Sequence, residues 1–242
     1  MSDCQVKLVL DGKTGEASPV NTGIPQGSQA APILFVIYLS GIFDVVESAV
    51  PSVHGLSFVD DIGWWVAGTN NKEVAAKLSA ATLEWAAGNG VAFDHGKTEA
   101  PLFQWKKRTG TARVTVGSNS IPFNKEATRW LGIWLDSQLT LKDHHAIRLR
   151  DGKKAMARLH QLTGQMGLLP VMMAFIQSVA MFGSELWWKG DHVWGTTGQA
   201  DELQRLVNQE ARATTGCFRT TNLEALSMKS GLRAATAQLE NR

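Results

Sequence analysis

The 242-residue chain is 44% hydrophobic, which suits one large domain or two small ones with a real core. Its net charge of +2 excludes composition alone as a reason to expect a polyanion partner, so the arrangement of charges has to supply one. Two distant cysteines, Cys4 and Cys217, match no metal-ligand spacing and fit a reduced, intracellular protein.

The start, "MSDCQVKLVL", lacks a charged stretch leading into an apolar run and a small-residue cleavage site, so no secretory signal is read. "QVKLVLDGKTGEASPV" alternates apolar and polar residues around a Gly-containing turn and predicts a hairpin. "NTGIPQGSQAAPILFVIY", from Asn21 to Tyr38, sets a loop of glycine, proline, glutamine and serine ahead of an apolar helix. Pro32 fits the helix's first turn, and Ile33, Ile37, Tyr38, Gly41 and Val45 recur at helical spacing. "LSFVDDIGWWVAG" reads as two short strands with Asp60 and Asp61 at the tip of a buried hairpin. A second helix follows, capped by Asn70 or Asn71, with Val74, Leu78, Ala81 and Trp85 as its buried stripe and "GNG" at its end.

"VAFDHGKTEAPLFQW" predicts strand, turn and strand, "ARVTVGSNSIPF" a surface hairpin, and "ATRWLGIWLDSQLT" a short strand pair ending in Asp136. The alternation predicts an α+β fold with helices on one face of an antiparallel sheet. From about Leu141 the pattern is wholly helical. Leu149, Gly152, Met156 and Leu159 form an apolar stripe, while Arg150, Lys154 and Arg158 lie on the opposite face, flanked by Arg148 and Lys153. That basic face is either a phosphate-contacting surface or a solvated helix side; "WKKR" at Trp105 to Arg108 is a weaker basic candidate. His144, His145 and His160 lack partners at ligand spacing and read as surface or helix-face residues.

"LLPVMMAFIQSVAMFG" is apolar but contains Pro170, Gln177 and Ser178 and falls short of the roughly 20 residues a spanning helix needs, so a buried helix and no membrane are expected. Asp191 to Gln199 reads as a linker and "ADELQRLVNQEARATTG" as an amphipathic helix. Nine tryptophans stand against one tyrosine, several beside apolar neighbours, and these predict core or interface rings.

The chemistry gathers at two places. Two adjacent carboxylates on a turn without Gly or Asn repel one another unless a cation sits there, and Mg²⁺ takes carboxylate oxygens together with substrate phosphates. The plain alternative is a hairpin with polar corners. The glycine loop's backbone N–H groups suit a phosphate or a base at the helix start, the alternative being a turn that feeds a helix. Loop, apolar helix and "FVDD" in that order are far more specific than either part.

"GIPQGSQAAPILFVIYLSGIF" and "LSFVDDIGWWVAG" resemble two consecutive blocks of reverse transcriptases, specifically those of non-LTR, LINE-like retrotransposons. "ATLEWAAGNGVAFDHGKTEAPLF" is similar to the next block, with Lys97 in "KTE", and "ATRWLGIWLDSQLT" resembles the block that holds the primer end. The following helices look like a thumb, and "QRLVNQEARATTGCFRTTNLEAL" is like the connector that follows the polymerase in fungal elements of this kind. The resemblance implies a partial palm over residues 1–140, a helical thumb-like region over 141–190, and a linker with a helical connector over 191–242.

It also implies roles. Asp60 and Asp61 would be the paired palm aspartates that hold Mg²⁺ or Mn²⁺, with Asp60 the direct ligand. Gln26, Gly27 and Ser28 would contact the template and the nucleotide pocket, and Lys97 would be a proton donor near the departing pyrophosphate. Trp130, Leu131 and Gly132 would form the primer grip, and Arg150, Lys154 and Arg158 would touch the nucleic-acid backbone. Partners would be an RNA template, a DNA primer and deoxynucleotides, in the nucleus; the oligomeric state is open.

The departures imply an incomplete centre. The family's third metal-binding aspartate lies on a strand upstream of the glycine loop, and Asp3, Asp11 and Glu16 do not match that block. The fingers block is missing too, "SQAAP" replaces the usual Ser-Pro and further Ser, and "FVDD" replaces Tyr-Ala-Asp-Asp. Three readings follow: a polymerase palm and thumb inactive by itself, a non-catalytic nucleic-acid-binding remnant, or a metal-dependent phosphohydrolase using Asp60 and Asp61.

Overall fold

The computed structural model describes residues 4–20, 27–68, 70–104, 113–124, 127–162, 173–190 and 197–242. The chain divides into two compact units, one of residues 1–98 and 112–122, the other of residues 99–111 and 123–242.

In the first unit, β1 (Cys4–Val6) pairs with β4 (Ser18–Val20), and β2 (Val9–Leu10) with β3 (Lys13–Thr14). Asp11 and Gly12 turn that hairpin with φ of 50° and 75°, as its alternation and Asp-Gly dipeptide predict. α1 (Ala31–Leu39) carries Pro32 in its first turn, as expected. α2 (Gly41–Ala49) follows at once, and Ala31–Ala49 is by length and composition alone apolar enough to cross a membrane. The expected stripe needs correction: Ile33, Ile37, Tyr38 and Val45 are exposed, while Leu39, Ile42 and Val46 are buried. In "APILFVIYL" nearly every position is apolar, so periodicity alone does not choose the inward face.

α3 (Asn71–Gly88) packs on α2, with Val74, Leu78, Ala81 and Trp85 turned to the core as predicted. Ile42, Val46, Val50 and Val53 are buried beside Ala81, and Ile62 and Trp64 of the aspartate hairpin pack against them. β8 (Arg113–Val116) buries Val114 and Val116, and the Ser79 hydroxyl of α3 donates to the Thr115 carbonyl at 3.0 Å. Its partner strand is β9 (Asn119–Asn124).

In the second unit, β7 (Ala100–Pro101) runs parallel to the end of β9, with Ala100 opposite Phe123. β10 (Thr128–Trp130) pairs with β11 (Ile133–Leu135), as predicted. α4 (Lys142–Leu162), α5 (Thr197–Thr215), α6 (Leu223–Ser230) and α7 (Ala235–Glu240) then form a helical core with a π-helical turn at Met173–Gln177. Leu149, Ile176, Met181, Trp187, Leu203 and Leu226 are among its buried side chains. Asn222 caps α6 by accepting the Glu224 amide at 2.8 Å.

The α+β class holds, but its sheet differs from the expectation. Among the described residues the strands form four two-stranded ladders and one three-stranded ladder, one pairing of which is parallel, and no single antiparallel sheet. Most of these strands are only two to five residues long; the hairpin of β5 (His54–Phe58) and β6 (Asp61–Trp65) packs its inward face on helices, and β8 is tied to α3. Val91–Phe93 is not a strand either; after Gly90, whose φ is 65°, the segment runs irregularly into the Asp94 turn. The basic "WKKR" segment and residues 191–196 of the expected linker lie outside the described residues; Thr197–Gln199 already belong to α5.

Candidate nucleic-acid and carboxylate site

β5 (His54–Phe58) and β6 (Asp61–Trp65) pair in strict register, Phe58 opposite Asp61 and Gly55 opposite Trp64. Because side chains alternate across a strand, Ile62 and Trp64 reach the core while Asp61 and Trp65 face outward. Trp64 stacks at a tilt on Phe43, their ring centres 5.1 Å apart. Gly55 is required here: a Cβ on it would lie 2.2 Å from the Trp64 ring.

Val59 and Asp60 make the two-residue turn, and Val59 has a φ of 56°. That left-handed region suits glycine and is avoided by β-branched valine, so the turn stores about 1–3 kcal/mol of backbone strain. Asp60 and Asp61 are both exposed. This corrects the expectation of a buried tip: the core side of the hairpin is apolar, and its carboxylate end stands in solvent.

Two solvated neighbouring carboxylates can share one loosely held hard cation. Fixing two cations needs more oxygen donors, and among the described residues no cluster of three or more His, Cys, Asp or Glu has the geometry to hold a metal ion. The described donors therefore do not fit a two-metal centre.

Of the glycine loop, Gln26 lies outside the described residues. Gly27 has a φ of 89°, with no atom of the described residues within 4 Å of where a Cβ would stand, and the Ser28 carbonyl accepts the Ala31 amide at 3.2 Å. α1 has no side-chain cap and no acidic residue in its first turn, but the Ala31 amide is taken by Ser28, the Leu34 amide by Ala30 at 3.0 Å, and Pro32 has no N–H to offer an anion. Lys97 pairs with Asp94 at 3.4 Å on an exposed turn, where the Gly96 amide first and then Lys97 hold the Asp94 carboxyl below its ordinary range. Among the described residues no hydrogen bond or ion pair joins the glycine loop, the aspartate pair and Lys97.

The Trp130–Gly132 segment is placed in more detail. Leu131 and Gly132 form the turn between β10 and β11, with φ of 47° and 83°. Arg150, Lys154 and Arg158 are exposed on one face of α4, as predicted. Arg148 does not flank them: it is half-buried, donates to the Gly132 carbonyl and lies 4.7 Å over the Phe182 ring. His144 and His145, read as surface or helix-face residues, do lie on a helix but are buried, which corrects the surface reading. Burial lowers both imidazole pKa values, opposed by the Phe182 carbonyl at His144 and by Glu202 at His145. The signal was present in the spacing, since His144, Arg148 and Gly152 follow one another at four residues and extend the apolar stripe.

A family model described as reverse transcriptase (RNA-dependent DNA polymerase) matches residues 2–135, more than half of the chain. The chain belongs to the reverse transcriptase family. It is also similar to the "Probable RNA-directed DNA polymerase from transposon X-element" of Drosophila melanogaster, 26% identical over 210 residues. That alignment covers 82% of this chain and 22% of the relative, so the chain spans about a fifth of that protein's length. By its name the relative is transposon-borne, as the resemblance implied. No solved structure matches.

Proposed function

We propose that the chain carries the carboxylate hairpin and the primer-contacting portion of an RNA-directed DNA polymerase, and that it binds an RNA template paired to a DNA primer. One observation carries this reading: a family-matched hairpin spends backbone strain at Val59 to set Asp60 and Asp61 side by side in solvent. Strain of this kind gathers where function requires it. On this reading residues 1–140 act as a partial palm, 141–190 as a thumb-like region and 191–242 as a connector. Gln26, Gly27 and Ser28 serve template and nucleotide, Lys97 the departing pyrophosphate, Trp130 to Gly132 the primer, and Arg150, Lys154 and Arg158 the phosphates. The site of action would be the nucleus.

Asp60 and Asp61 are the proposed ligands for Mg²⁺ or Mn²⁺, and a further carboxylate must join them before two cations can be fixed. The 242-residue chain by itself therefore does not extend a primer. Primer extension on an RNA template with either cation checks this, and extension that disappears in Asp60→Ala would overturn it. Binding is the positive test: the chain should prefer an RNA–DNA hybrid with a recessed primer end over a blunt one, and bind less tightly as salt rises. Equal affinity for both ends would refute the primer contact.

The exposed basic face of α4 favours a second reading, nucleic-acid binding without any chemistry. It predicts salt-sensitive binding with no preference between recessed and blunt ends, so the same titration separates the two.

A further inference from the structure

A ladder of three residues on each side is marginal by itself, and among the described residues β10–β11 has no further strand beside it. Polar ties from α4 hold it instead. The Trp134 amide, on the open edge of β11, donates to Nδ1 of His144 at 3.2 Å. That leaves the other ring nitrogen to carry the proton, and Nε2 donates it to the Phe182 carbonyl at 2.8 Å. One turn along the helix, Arg148 donates to the Gly132 carbonyl, and its guanidinium covers the Phe182 ring.

The glycines at this junction leave no slack. A Cβ on Gly132 would stand 3.0 Å from the Phe182 ring, and one on Gly183 would stand 2.6 Å from Ile133 and 2.9 Å from His144. The turn itself uses Leu131 where a two-residue hairpin loop favours Asn or Gly.

We infer that His144 and Arg148 are positioning residues for the primer strand: their joint hold on the Trp134 amide and the Gly132 carbonyl keeps the Leu131–Gly132 turn in one shape. The inference rests on the proposed primer contact of that turn. Charge is what separates it from a purely structural clamp. A neutral donor would serve a structural turn, yet here a half-buried guanidinium does so beside a second one. Burial and the nearby charge of exposed Arg129 both work against the Arg148 cation, and Asp151 only partly offsets them. Two cations crowded at a strained turn suit the phosphates of a strand lying across it.

The test measures binding of the full chain to labelled RNA–DNA hybrids of equal length, one with a recessed primer end and one blunt, with amide NMR signals of Leu131, Gly132 and Trp134 as the structural readout. Wild type prefers the recessed end. Arg148→Ala and His144→Asn each lose that preference and shift the three amides. Arg148→Lys, which can still donate to Gly132, recovers part of the preference. If His144→Asn fails to fold, Arg148→Ala, altered at a half-exposed side chain, carries the test. A folded Arg148→Ala chain with shifted turn amides and an undiminished preference overturns the inference. A wild-type chain without any preference instead refutes the primer contact itself.

Discussion

The two hairpins β5–β6 and β10–β11, each in its own unit, are built in opposite ways. β5–β6 is held along its length by Ile62 and Trp64 in an apolar core, and its tip is left to solvent with a strained valine and two carboxylates. β10–β11 is held at its tip and edge by hydrogen bonds from a helix, with His144 fully buried behind it. Apolar packing fixes where a hairpin lies without occupying its polar end, so the first tip stays in solvent. Polar clamping fixes the shape of the turn itself. Placement and shape are thus secured by different forces in the two regions.

Three changes should sharpen that contrast. The largest effect is expected at Gly183, whose φ is 70° and whose added Cβ would press on Ile133 and His144. Gly183→Ala should cost about 1–2 kcal/mol for the left-handed backbone and about 1–3 kcal/mol more for overpacking. Chemical denaturation reads this loss, and an unchanged midpoint would show that the clamp has slack.

The next effect concerns Glu210, fully buried on α5, where burial raises its pKa to about 7, opposed only by a hydrogen bond from Gln177 at 3.3 Å. The folded carboxyl binds its proton more tightly than the unfolded one, whose pKa is 4.5. Its contribution is therefore complete below the unfolded value and declines as pH rises through about 7, by on the order of 3 kcal/mol. His144 and His145 act in the other sense, since their lowered pKa values remove stability as pH falls. Comparing wild type with Glu210→Gln by denaturation across this range isolates the carboxyl: the variant should lack the decline, and parallel curves would contradict it.

The smallest effect should be at the exposed tip. Asp60→Asn should move stability by no more than about 0.5 kcal/mol, because neither packing nor a buried partner is lost. A drop as large as that of Gly183→Ala would mean that the aspartate pair is structural after all.

Much of the fold was legible from local pattern. The Asp-Gly hairpin, the α3 stripe, the "VDD" turn, the β10–β11 pair and the start of α4 all follow from turn chemistry and periodicity, which act over a few residues. The inward face of α1 was not legible, because a segment apolar on every side has no preferred face until a partner supplies one. The burial of His144, His145 and Glu210 escaped for a related reason. A polar residue in a helix looks solvated until a distant carbonyl or amide is known to reach it.

The sequence by itself determined the family, most of the order of elements and the place of the aspartate pair at a turn, since each rests on short, ordered motifs. Tertiary structure alone decided that the pair stands in solvent, that Arg148 reaches the Gly132 carbonyl, and that two histidines of α4 are buried. The physical reason is range. Turn and helix signals are written within a few neighbours, whereas burial and hydrogen-bond partnership are settled between residues such as His144 and Phe182, far apart in the chain and 2.8 Å apart in space.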